Sequence, residues 1–286
     1  MGWPVYAMDT GFYNSLGSYD FDARCEIANE LGFDATYLTL WSETAWADVP
    51  KLASARDRHG LEVAGVYCPL DMTAPSAEED GRRIEELVRT IDGCDHVEIA
   101  LLSDTYGPSD QSGDDVALGW MERLAGAAAE RDVTLMLYPH ALCWLERTDD
   151  AIRLCRRLDH PGVKAIFTAY HWYAVEGANL RRLMDDIAPY LEAVNICGST
   201  RASGHVMPAT IERLDEGEMD AFHVLGEVRR VGYEGYIGLQ GYSLAGDPYA
   251  NFRRSLAALR DIERRLDEHP HWAELRPDPL PLPSGA

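Results

Sequence analysis

Between Thr134 and Tyr173 the chain contains one complete strand, loop, helix and strand, and this unit restricts the fold more than any other stretch. Thr134 to Leu137 is a short apolar run halted by Tyr138-Pro139-His140, and Lys164 to Phe167 is a second one halted by Thr168-Ala169-Tyr170-His171. Between them Thr148-Asp149-Asp150 supplies a helix start, and Ala151, Leu154, Cys155 and Leu158 recur at the spacing of one helix face. Strands joined through a helix run parallel, because the helix carries the chain back to the end where it started. Both runs therefore finish on the same side. In parallel α/β folds that carboxyl side holds the ligand, which makes Tyr138, His140, Thr168 and His171 the first site candidates.

The same unit recurs along the chain. Strands are expected at Val5–Met8, Thr36–Leu40, Val63–Tyr67, Val97–Leu102, Thr134–Leu137, Lys164–Phe167, Ala193–Cys197 and Tyr236–Leu239. Helical periodicity separates them, as in Phe21, Cys25, Ala28 and Leu31 before Gly32, over Val49–His59 before Gly60, and in Ile84, Leu87, Val88 and Ile91. The last helix opens on Asp247-Pro248, a capping residue followed by a favoured first-turn proline. Eight strands alternating with helices predict a single-domain (β/α)8 TIM barrel over residues 1–275. An open doubly wound sheet fits less well, because no GxGxxG or Walker-type glycine loop follows any strand. Residues 276–286, RPDPLPLPSGA, read as a proline-rich disordered tail.

Charge narrows the function. The net charge of −22 excludes nucleic acid and anionic membrane surfaces as partners, because both require clustered Lys and Arg. The six cysteines show no CxxC spacing and read as reduced thiols. No run approaches membrane-spanning length, and the first residues lack the pattern of a secretory leader. The expectation is a cytoplasmic protein acting on a small molecule, with assembly into a homo-oligomer left open.

Three stretches carry a resemblance: LASARDRHGLEVAGV before and within the third strand, DDAIRLCRRLDHPGV before the sixth, and GYEGYIGLQGYSLAGD around the eighth. With the order of elements, they resemble the xylose isomerase-like TIM barrel family of sugar (phosphate) isomerases and epimerases. The resemblance implies a divalent metal held by Glu, Asp, His and Glu on strands five to eight, with the two glutamates moving a proton. The matching positions here are Tyr138, Thr168, Asn195 and Gln240. A phenol, a hydroxyl and two amides are poor ligands for a cation that prefers carboxylate oxygen, and neither amide is a general base. The family's sugar-contacting His and Arg are matched by His171 and Arg201. The resemblance thus implies a sugar-binding site kept while the metal site is dismantled, with no cofactor expected.

These residues point to an enzyme on a carbohydrate that transfers a proton alpha to a carbonyl without a metal, in isomerisation, epimerisation or elimination. His140 is the candidate base or acid. His171 and Tyr138 share the catalytic assignment, Tyr138 being either a hydrogen-bond donor or an aromatic plug. Arg201, Asn195, Gln240, Thr168, Trp172 and Glu98 are candidate substrate contacts. Arg201 lies in a donor-rich loop, 198–204, of the kind that binds phosphate in some barrels. Trp144 and Tyr242 are further candidates for stacking on a sugar. Asp9 and Glu98 are the remaining carboxylates; Glu98 interrupts an apolar strand and faces either the barrel interior or a salt bridge on the helix side. Two other readings stand beside this one: a non-catalytic sugar-binding barrel, and a rebuilt zinc site using His140 and His171 with Cys197 or Glu98.

Overall fold

The short apolar runs become the strands of one closed parallel barrel, in which each strand pairs with its neighbours in sequence and the last returns to the first. They are β1 (Val5–Ala7), β2 (Ala35–Thr39), β3 (Glu62–Asp71), β4 (His96–Leu102), β5 (Thr134–Leu137), β6 (Val163–Thr168), β7 (Leu191–Ile196) and β8 (Tyr236–Leu239). Closure is made by the register Val5↔Ile237, Tyr6↔Gly238 and Ala7↔Leu239. A computed structural model describes residues 2–202 and 207–274; the proline-rich tail expected at 276–286 lies outside the described residues.

The helices form where their caps and apolar stripes direct. In α1 (Phe21–Leu31) the Asp20 side chain accepts from the Ala23 N–H, Gly32 ends the helix at φ 85°, and Phe21, Cys25 and Ala28 are buried. The following helices are α2 (Glu43–Asp48), α3 (Ala55–His59), α4 (Ala77–Thr90), α5 (Asp114–Ala128), α6 (Thr148–Leu158), α7 (Ala169–Val175), α8 (Leu180–Ile187), α9 (Ala221–Arg230) and α10 (Pro248–Glu268). Their apolar faces and the outer faces of the strands make one continuous core.

Three local expectations are corrected. The helix expected over Val49–His59 starts earlier and in pieces: Ser42 caps α2, a 3-10 segment spans Val49–Ser54 with Pro50 in its first turn, and α3 follows. Strand β3 does not stop at Tyr67 but continues through Cys68-Pro69-Leu70 to Asp71, paired with β4. Beyond Tyr67 the pairing with β2 has ended, and a proline is tolerated where one side of a strand has no ladder. His171, expected in a loop, sits in α7, which begins directly after β6.

The inside of the barrel is a second, separate core of Tyr6, Tyr37, Met136, Ile166, Ala193 and their neighbours. Tyr6 and Tyr37 stack with ring centroids 5.3 Å apart. A side chain on Gly238 would collide with the Tyr6 ring and with Asn195, so the glycine makes room for both. Two polar pairs are sealed into this interior: the Tyr6 hydroxyl donates to Asn195 Oδ1, and the Tyr37 hydroxyl donates to Glu98 Oε2. Of the two orientations open to Glu98, the structure shows the interior one.

Burial pushes the Glu98 carboxyl up to about 8, Asp9 acts in the same direction, and the Tyr37 hydrogen bond and His96 oppose it. The folded value lies above the unfolded one of about 4.3, so this group stabilises the fold fully at low pH and progressively less as pH rises toward its folded value. Glu98→Gln keeps the acceptor for Tyr37 and removes the ionisation. The variant is expected to match the parent near pH 4 and to exceed its stability at pH 8 by on the order of a few kcal/mol. Urea midpoints at the two pH values check this; equal pH slopes in both proteins would contradict the protonated interior carboxyl.

Candidate active site

All eight strands point their carboxyl ends toward one mouth, and the loops there build the site. After β5 the Tyr138 N–H donates to Ile99 O (2.9 Å), the His140 N–H donates to Leu145 O (2.9 Å), and the Leu145 N–H donates to Leu101 O (3.0 Å). The loop is thus pinned at both ends, with the exposed Leu142 in the left-handed region at φ 72°. Pinning fixes the peptide groups of Ala141. Its carbonyl accepts from His140 Nδ1 at 2.8 Å, and its N–H donates to His171 Nδ1 at 3.1 Å.

These two contacts set both tautomers. A carbonyl only accepts, so His140 carries its proton on Nδ1 and leaves a lone pair on Nε2; an amide N–H only donates, so His171 carries its proton on Nε2. The rings lie 4.0 Å apart between centroids. Burial lowers the pKa of His140 against the opposing backbone hydrogen bond at Ala141; burial, reinforced by His140, holds His171 well below the ordinary histidine value. The pair is neutral at pH 7: one base, one donor. His171 Nε2 is buried and has no hydrogen-bond partner among the described residues.

Both histidines line a cavity of about 790 Å³ at the mouth. Tyr37, Tyr67 and Tyr138 also line it, Tyr138 standing edge-on to Tyr67 at 5.0 Å and to His171 at 5.7 Å. Burial and then the Glu98 charge push the Tyr138 phenol upward, so it stays a protonated donor. Thr10 and Gln240 contribute further lining, and Thr10 Oγ1 and Gln240 Oε1 are buried with no partner among the described residues. The segment after β7 folds over the cavity through antiparallel bridges Gly198↔Glu212 and Arg201↔Ala209, bringing Ala202, Met207 and Ile211 to the wall. Among the described residues no Asp, Glu, Lys or Arg lines the cavity.

Of the residues singled out in the sequence, His140, His171, Tyr138, Gln240 and Tyr242 meet at this cavity. The others do not. The Thr168 hydroxyl donates to Pro139 O at 2.9 Å and straps β6 to the next loop. Asn195 and Glu98 are sealed inside the barrel beneath the tyrosines. The Trp172 indole donates to Ala178 O at 3.1 Å and packs on Phe167, and the buried Trp144 indole donates to Asp110 O at 2.8 Å. Arg201 donates to Glu176 O at 3.0 Å and lies over the Tyr173 ring; residues 203 and 204 of its loop lie outside the described residues. Asp9 accepts from the Thr39 hydroxyl (2.7 Å), the Thr39 N–H and the Tyr13 hydroxyl, tying β1 to β2. Thr10, Trp41 and Tyr170 were missing from the candidates, although Thr10 and Trp41 follow strand ends and the strand-end rule that selected Tyr138 reaches them too.

A divalent cation does not fit the positions where the family would hold one. The Thr168 hydroxyl is donated elsewhere, the Asn195 oxygen is taken by Tyr6, Tyr138 is a protonated phenol, and Gln240 is a neutral amide. For the zinc alternative, among the described residues no three His, Cys, Asp or Glu side chains are placed to hold an ion.

Comparison with known proteins agrees with this architecture. The family model described as "Xylose isomerase-like TIM barrel" matches residues 25–262. A segment of 130 residues, 43% of this chain, is 28% identical to 2-oxo-tetronate isomerase of Cupriavidus necator and spans 45% of that protein, so the chain covers under half the length of this curated relative. A solved L-ribulose 3-epimerase superposes with a TM-score of 0.74 at 15% identity, covering 98% of this chain and 100% of that one. The apo form of 3-keto-D-glucoside 4-epimerase from E. coli gives 0.69 at 19% identity, covering 91% and 99%. At these identities the solved structures share the fold, while the family model spans most of the sequence: the chain belongs to the xylose isomerase-like TIM barrel family.

Proposed function

We propose that this barrel is an enzyme that moves a proton alpha to the carbonyl of an uncharged sugar or keto-sugar, with the protein's own neutral groups in place of a divalent metal. The observation that carries the reading is the opposite tautomers of His140 and His171, both set by the backbone of Ala141. His140 Nε2 takes the proton from carbon. The C–H electron pair becomes the new C=C bond, the carbonyl π pair moves to oxygen, and that oxygen accepts from His171 Nε2–H and the Tyr138 hydroxyl. The hydroxyl on the deprotonated carbon then passes its proton to that oxyanion by way of the Tyr138 hydroxyl, its O–H pair becoming the new carbonyl π bond, while the C=C pair takes the proton back from His140 at the neighbouring carbon, which gives the isomer. A single base serving two adjacent carbons fits isomerisation more directly than epimerisation, which delivers the proton to the opposite face. The relative named an isomerase and the neighbours named epimerases act on sugars or sugar acids, which supports a carbohydrate substrate.

The rival reading, a barrel that only binds a sugar, draws on the absence of any charged side chain around the cavity among the described residues. Deuterium wash-in separates the two. Incubation with a panel of neutral ketoses in D2O, followed by proton NMR, is expected to show exchange at the carbon next to the carbonyl, undiminished after chelator treatment. His140→Gln should lower the exchange rate about 100-fold or more, and His171→Gln about 10- to 100-fold. Binding without exchange across the panel, or full exchange in His140→Gln, overturns the assignment.

The pH dependence follows from the lowered histidine values. A base works in its neutral form, so kcat/KM should hold level as pH falls through the ordinary histidine value of about 6.5 and decline only below it. An acid limb centred at or above that value would assign the base to another group.

A further inference from the structure

The cavity changes character from base to mouth. At the base three buried polar atoms, Thr10 Oγ1, His171 Nε2 and Gln240 Oε1, have no partner among the described residues. Buried polar groups left so are costly unless a ligand completes them, and a cluster offering hydroxyl, imidazole and amide suits the hydroxyls and carbonyl of a sugar ring. At the mouth the wall is aromatic and open to water. Trp41 is 46% exposed and Tyr242 43%, their rings perpendicular with centroids 5.6 Å apart. Tyr13 meets Trp41 at 5.9 Å on the outer side, and Tyr67 meets it at 6.1 Å on the inner side, so rings continue from the surface to the floor. Met207 and Ile211 add apolar surface from the segment after β7.

Size and charge narrow the occupant. At about 790 Å³ the cavity lies in the upper part of the ~300–1,000 Å³ range of pockets that enclose drug-sized ligands, well beyond the needs of one bare sugar ring. No Lys or Arg lines it among the described residues, and Arg201, the cation the sequence offered for a phosphate, is turned to Glu176 O and the Tyr173 ring. A phosphate would enter without a counter-charge, at a large desolvation penalty.

We infer that the ligand is an uncharged glycoside of a keto-sugar, its carbonyl on a ring carbon and its aglycone an aromatic ring, with the sugar against Thr10, His171 and Gln240 and the aglycone against Trp41 and Tyr242. This rests on the carbohydrate reading above but not on catalysis, and it is tested by binding alone. The full chain is titrated calorimetrically with phenyl and methyl β-D-glucopyranoside, phenyl and methyl β-D-xylopyranoside, phenol, and glucose 6-phosphate. At least one phenyl glycoside is expected to bind tenfold or more tighter than its methyl partner and than phenol, and glucose 6-phosphate no better than the methyl glycosides. Trp41→Ala and Tyr242→Ala should each erase most of the phenyl preference while leaving the methyl affinity in place, and His171→Gln should weaken phenyl and methyl glycosides alike. Melting curves confirm that the variants fold. Equal affinity for phenyl and methyl partners, binding of phenol as tight as the phenyl glycoside, preference for the sugar phosphate, binding of no glycoside, or a phenyl preference that survives both aromatic substitutions overturns the inference. Loss of deuterium exchange with aryl preference intact would instead remove the catalytic reading and leave this one standing.

Discussion

The parallel closure of the barrel is the constraint on which everything else rests. Because β8 pairs with β1 and every strand runs the same way, the residues after β1, β2, β5, β6, β7 and β8 arrive at one mouth although they are spread over most of the chain. No single loop could assemble Thr10, Trp41, His140, His171 and Gln240. Strand β5 has four residues and β8 has four, lengths too short to stand alone, yet each is held on both sides by neighbours and covered on its outer face by helices. Rigidity at the strand ends is what allows the short loop from Pro139 to Leu145 to hold two imidazoles in a fixed relation.

At the four positions that the sequence resemblance would assign to a metal, this chain places neutral groups, and three of them are engaged in other contacts. Thr168 fastens a loop, Asn195 joins Tyr6 inside the barrel, and Tyr138 presents a protonated phenol beside the histidines. The replacement is consistent in its electrostatics. A cluster of carboxylates without a cation would repel itself in so dry a place, whereas phenols, amides and a protonated Glu98 need no counter-charge. An acidic protein, with a net charge of −22, therefore surrounds a cavity whose lining is itself uncharged among the described residues.

The fold was legible in the sequence because alternation of apolar runs with helical stripes is a local signal, repeated eight times, and the repeat count together with the lack of a glycine-rich loop after any strand favours a closed barrel over an open sheet. Boundaries were less legible where a tertiary partner decides them: β3 runs past Tyr67 because β4 continues beside it, and Pro69 is tolerated because β2 does not. The site was legible in half. His140, His171, Tyr138 and Gln240 could be named because they end strands, but strand position does not tell which way a side chain turns. Trp172 and Thr168 occupy equally promising places in the sequence and turn to Ala178 and Pro139 instead. Nor does sequence reveal that Glu98 points inward, since an acid within an apolar strand has two faces open to it until the strand's register is fixed.

Ala141 sets the protonation of both histidines through its peptide groups, with its methyl taking no part in the hydrogen bonds. The proton positions of this pair are therefore stored in backbone direction and leave no mark in side-chain identity. Any residue small enough for this buried position writes the same instruction, with proline alone excluded for want of an N–H. Among related chains, then, position 141 is free to drift in identity while its role stays constant. A motif search built on side chains would pass over the residue that makes the His140 and His171 pair into complementary partners.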